Sequence, residues 1–70
     1  MNRAEIKKRA SLYSGRTDVL NVIAEIIGKS PESVCSRLTG KSQFTASEIN
    51  KLRKAFHLSD TETVRWFIAD

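Results

Sequence analysis

Residues 23–41 decide the fold: Ile23-Ala24-Glu25-Ile26-Ile27-Gly28-Lys29-Ser30-Pro31-Glu32-Ser33-Val34-Cys35-Ser36-Arg37-Leu38-Thr39-Gly40-Lys41. Apolar residues at helical spacing run up to Gly28, and the pattern restarts at Ser30-Pro31. Ser30 is a good N-cap, and proline suits the next position because its missing N–H would have no helical partner there. Val34 and Leu38, four apart, form the inner stripe of a second helix that Gly40 stops. Ala24 is small enough for that helix to approach closely. Gly28, four residues on, takes the positive φ of a sharp turn. Val34, six further, plugs the angle between the two helices. The stretch therefore predicts helix, tight turn, helix.

Outward from this unit the chain predicts three more helices and no strand, since helical spacing recurs and period-2 alternation is absent. The first spans about Arg3 to Tyr13. Asn2 caps it with Glu5 three residues on, and Ile6, Ala10 and Tyr13 share one face. The second spans about Asp18 to Ile27, is capped by Thr17, and is apolar except at Asn21 and Glu25. A helix apolar almost all round is normally buried all round, which is hard to arrange in 70 residues, so part of its surface is expected to meet a partner. The fourth begins at the capping box Thr45-x-x-Glu48, turns Ile49, Leu52, Ala55 and Phe56 inward, and ends near His57. The fifth begins at a second box, Ser59-x-x-Glu62, with Val64, Phe67 and Ile68 as its stripe. Trp66 lies about 200° from Val64, off that stripe.

The chain has 70 residues, 40% of them apolar, which supplies one core and predicts one domain over residues 1–70. No apolar run approaches the roughly 18 residues of a membrane span, and no signal peptide is visible. A lone cysteine forms no internal disulfide. These features predict a cytoplasmic protein. The net charge of +4 resides in residues 1–16, where Arg3, Lys7, Lys8, Arg9 and Arg16 face only Glu5; the rest of the chain is neutral. A basic end on a neutral body suits phosphate contact, and a solvated helix face is the plainer alternative.

The residue types needed for chemistry are not assembled. His57 is expected at a helix C-terminus as a cap. Cys35 has neither a second Cys at CxxC spacing nor a His nearby, and reads as a small packed or half-exposed side chain. Gly40-Lys41-Ser42 looks like the end of a phosphate-binding loop, but the glycine required five residues earlier is Cys35 and no strand precedes it. Neither enzymatic activity, a metal, a cofactor nor a small-molecule substrate is expected.

A helix, tight turn and second helix of this kind is the helix-turn-helix arrangement, whose second helix enters the DNA major groove. With the unit at about residues 18–39, the chain resembles the small Cro/repressor-type (XRE-like, lambda-repressor-like) phage and bacterial regulators over about residues 17–68. The passage Arg37-Leu38-Thr39-Gly40-Lys41-Ser42-Gln43-Phe44-Thr45-Ala46-Ser47-Glu48-Ile49 is similar to the R-L-N-G-K-x-x-F-T-x-x-E-I passage of phage members. The resemblance implies a compact all-α five-helix domain in the cytoplasm of a bacterial host cell. It also implies transcriptional regulation by operator binding, often as a dimer.

By position, the third helix is then the recognition helix, with Glu32, Ser33, Ser36 and Arg37 outward. Ser33 and Ser36 reach base edges but discriminate weakly, and Arg37 suits a guanine or a phosphate. Lys29, Ser30, Lys41, Ser42 and Gln43 flank the helix and suit phosphate contacts, which position without reading sequence. Three features depart from the family pattern. Glu32 sits where amide or basic groups are usual. Arg37 stands where an apolar residue is usual, with Leu38 turning in instead. Val22 and Ile26 replace residues that are usually polar and exposed. An apolar outer face beside a weakened recognition helix suits a protein partner. The alternative function is therefore that of a phage modulator of repression, which binds a CI-type repressor through Val22, Ile26, Pro31 and Cys35 and changes its operator binding. Trp66, off its stripe, is the candidate contact for a homodimer, the plainer alternative being a ring folded back over the first or fourth helix.

Overall fold

A computed structural model describes residues 1–68. Among these, five helices form and no strand does: α1 (Arg3–Ser14), α2 (Val19–Ile27), α3 (Pro31–Leu38), α4 (Ala46–Phe56) and α5 (Asp60–Thr63), the last running into one wide i→i+5 turn over Val64–Ile68. The predicted all-α, five-helix architecture is present.

The predicted local signals set most of the boundaries. Asn2 Oδ1 accepts the Glu5 N–H at 3.2 Å and starts α1. Ser30 Oγ does the same for the Ser33 N–H at 3.2 Å, with Pro31 as the first residue of α3. Both capping boxes close reciprocally, Thr45 with Glu48 and Ser59 with Glu62. His57 ends α4 as a left-handed residue with φ 55°. The start of α2 differs from expectation: Asp18, not Thr17, occupies the cap position, and it makes no side-chain capping bond. Its carboxylate is held instead by the Arg16 guanidinium at 2.6 and 2.9 Å.

The apolar circumference of α2 is covered from within. This helix packs against α1, α3 and α4, which puts it at the centre of the molecule. Val22, Ile23, Ala24 and Ile27 are buried; Val19, Leu20 and Ile26 pack half-buried against the same core. Three neighbouring helices suffice to surround a nine-residue one, so the expected apolar outer face at Val22 is absent. Each fully buried Ile or Leu of this core stabilises the fold by roughly 1.5–3 kcal/mol.

The stripe expected on the last helix is displaced by about one residue. Thr63, Trp66 and Phe67 face the core, whereas Val64 and Ile68 are exposed. A stripe laid out at the roughly 100° step of an α-helix does not hold over Val64–Ile68, because a wide i→i+5 turn advances by a smaller angle per residue. The Trp66 ring packs under the Arg9 guanidinium, 5.2 Å from its centroid. Its carbonyl accepts the Asn2 N–H at 2.8 Å. Arg9 also donates to the Phe56 carbonyl at 2.9 Å and lies 3.7 Å from Glu62, so one side chain ties α1 to α4 and α5.

Candidate nucleic-acid interface

The turn between α2 and α3 is made by Gly28, with φ 74° and ψ 34°. The N–H groups of Gly28 and Lys29 both donate to the Ala24 carbonyl, at 2.8 and 3.0 Å, which closes α2 and reverses the chain. Ala24 and Val34 are buried where α2 meets α3, as their spacing predicts. With Val34 and Leu38 inward, Glu32 and Cys35 of α3 are exposed, and Ser33 and Ser36 are half-buried.

The segment after α3 folds back onto it. The N–H groups of Lys41 and Ser42 both donate to the Ser36 carbonyl, at 3.0 and 3.2 Å, and the Ser42 hydroxyl donates to the Ser36 hydroxyl at 3.1 Å. Phe44 anchors the segment, buried and edge-on to Phe67 with ring centroids 5.5 Å apart. This leaves Lys41 and Gln43 exposed beside α3, with Lys29 and Ser30 exposed at its start. Lys29 and Lys41 make no ion pair among the described residues.

Arg37 does not project outward. Its Nε and Nη2 donate to the two Glu48 carboxylate oxygens at 2.7 and 3.0 Å, and its Nη1 donates to the Ser33 carbonyl at 3.1 Å. The two side chains are 15% and 4% exposed. The guanidinium is thus committed inside the protein, which corrects its expected place among base contacts. Glu48 Oε1 also accepts the Thr45 N–H at 3.0 Å. Burial by itself would raise the Glu48 carboxyl's pKa, but the bonds from Arg37 and Thr45 outweigh it and hold the group below its ordinary value. Nothing in the sequence singled out Glu48 beyond its capping role; the available signal was an arginine three residues after Val34, beside the inward stripe of α3.

The expected partner contacts divide. Val22 and Trp66 are 2% and 5% exposed, which corrects both as contact residues. Ile26 and Pro31 are half-buried, and Cys35 is exposed as a free thiol. The large apolar side chains that do reach solvent include Leu12, Tyr13, Val64 and Ile68. Leu12 lies about 120° from Ile6 around α1, off the face that Ile6 and Ala10 bury.

The basic end is partly neutralised by the fold. Arg16 pairs with Asp18 at 2.6 Å and Glu25 at 3.2 Å, and Arg9 with Glu62. The Arg16 bonds hold the Asp18 carboxyl below its ordinary pKa. Arg3, Lys7 and Lys8 remain exposed on α1 without an ion pair among the described residues. No group of three His, Cys, Asp or Glu residues suited to a metal occurs among the described residues, and none of the described helices is long and apolar enough to cross a membrane.

Compared with protein-family models, curated proteins and solved structures, the chain matches none.

Proposed function

We propose that the chain is a helix-turn-helix transcriptional regulator of the Cro/repressor type, which binds operator DNA by seating α3 in the major groove. It acts in the cytoplasm of a bacterial host. The observation that carries this reading is the polar edge formed by α3 and the loop behind it. Lys29, Ser30, Ser33, Ser36, Lys41, Ser42 and Gln43 lie along a helix and a folded-back loop that meet at the Ser36 carbonyl, and both lysines are free of ion pairs among the described residues. Cations and hydroxyls at the two ends of a short helix suit the phosphates on either side of a groove. The serines between them suit base edges. With Arg37 committed to Glu48, affinity comes mainly from phosphate contact and discrimination from Ser33 and Ser36, with Glu32 turned toward cytosine amino groups.

Selection from a pool of short randomised duplexes tests this function. An enriched sequence is expected, with affinity falling steeply between about 50 and 200 mM salt. Lys41→Ala is expected to weaken binding to every duplex alike and to lower the salt slope by about one counterion. No enrichment, with binding insensitive to salt, refutes the function.

The exposed Glu32 and Cys35 on α3, with half-buried Ile26 and Pro31 nearby, favour the second reading. In it the same edge binds a CI-type repressor and modulates its hold on operators. Its outcome in the same experiment is a complex with the repressor encoded beside its gene and no enriched duplex.

A further inference from the structure

We propose that Arg37 and Glu48 are a positioning pair, which sets the sequence discrimination of α3 without touching nucleic acid. The inference rests on the DNA-binding function proposed above. Two parallel N–H···O bonds, at 2.7 and 3.0 Å, join the last turn of α3 to the first turn of α4. Stability alone does not call for such a pair, since well-packed apolar residues of similar volume at a buried ion pair are often as stable or more so. What apolar packing lacks is direction. A bidentate guanidinium–carboxylate contact fixes both the distance and the rotation of the helix that carries it.

Direction matters here because the two serines assigned to base edges are short. Ser33 and Ser36 have one rotatable heavy-atom bond each and cannot reach to make good a shifted backbone. A hydroxyl hydrogen bond is lost by roughly 3.6 Å, so an ångström of drift in α3 forfeits it. Ser33 is bonded to the pair itself, whereas Ser36 is held by the loop behind α3. The Ser33 carbonyl accepts from Arg37 at 3.1 Å, and the Ser33 hydroxyl accepts from Ser30 at 3.1 Å. Ser36 is tied to Ser42 at 3.1 Å. The far end of the pair is fixed as well, because Glu48 holds the Thr45 N–H at the start of α4. The orientation of α3 is thereby referenced to α4, in addition to its packing on α2.

The double variant Arg37→Met/Glu48→Gln tests the proposal, because the glutamine carbonyl keeps the α4 cap. Its probes are the duplex that the wild-type chain enriches and a scrambled duplex of equal length, with folding checked by thermal melting. The expected result is scrambled-duplex affinity near that of wild type and a specific-to-scrambled ratio about tenfold lower. Amide exchange in α3 should be faster, and in α1 and α2 unchanged. A folded variant that keeps the wild-type ratio overturns the inference, as does one that loses both affinities in proportion, which a merely structural role would produce. If the double variant does not fold, Arg37→Lys serves, since it keeps the charge but not the bidentate geometry; an intermediate ratio is expected and a wild-type ratio overturns the inference. A wild-type chain that enriches no duplex refutes the DNA-binding function and this inference with it, whereas enrichment beside an unchanged ratio refutes this inference alone.

Discussion

Replacing Glu48 by alanine removes two supports at once. The carboxylate accepts the Thr45 N–H that completes the α4 cap, and it neutralises a guanidinium held at 15% exposure. Losing this half of the capping box costs about 1 kcal/mol. Breaking a buried ion pair by removing one partner costs about 3–5 kcal/mol, because the other charge stays buried without compensation. A 70-residue chain has about 4–10 kcal/mol of total stability, so Glu48→Ala removes a large share of it. Glu48→Gln keeps an acceptor for Thr45 and for one Arg37 N–H and should cost only about 1–2 kcal/mol. Urea denaturation reads both. The single, buried Trp66 provides the fluorescence signal and circular dichroism the helical one. Glu48→Ala within about 1 kcal/mol of wild type would refute the reasoning. Acid acts on the same group. Because the folded-state pKa of Glu48 lies below its ordinary value, the stability it contributes is complete above the unfolded carboxyl's pKa of about 4.3 and is lost as pH falls through the lower folded value. Glu48→Gln should flatten that part of the acid limb, and an unchanged limb would count against the account.

Gly28→Ala should cost about 1–2 kcal/mol through its left-handed φ alone, since no atom crowds the added Cβ; a thermal melt measures it, and a loss several times larger would show a clash. Val22→Lys should unfold the domain, because it places an ammonium in the core; a cooperative wild-type-like melt would restore Val22 as a surface residue. Trp66→Ala should cost about 3–5 kcal/mol, whereas Val64→Ser with Ile68→Ser should stay within about 0.5 kcal/mol per site; chemical denaturation separates them, and the reverse order would support the stripe first expected for α5.

What the sequence made legible was mostly local. Asn2, Ser30, the Thr45 and Ser59 boxes and Gly28 act on backbone groups within a few residues, so their partners are fixed by spacing, and each appears where spacing puts it. What escaped depends on groups far apart in the chain. Periodicity cannot say how many neighbours a central helix has, so the burial of Val22 against three other helices is not legible in it. Trp66 is buried in a core drawn from the whole chain, with Arg9, 57 positions earlier, stacked on its ring. Arg37 was assigned outward from its place on α3, while its partner Glu48 was accounted for by its cap. A carboxylate that caps one helix and clamps another is invisible to spacing, since one of its two bonds is local and the other is not.

The proposed function requires α3 and the loop behind it to meet duplex DNA. Backbone amide shifts followed by NMR, as the duplex enriched in selection is titrated into the labelled chain, test it most directly. The account predicts the largest changes from Lys29 to Phe44, with those of α1 confined to its exposed basic residues. Changes centred on Leu12 and Tyr13, or on Val64 and Ile68, with α3 unmoved, would contradict it.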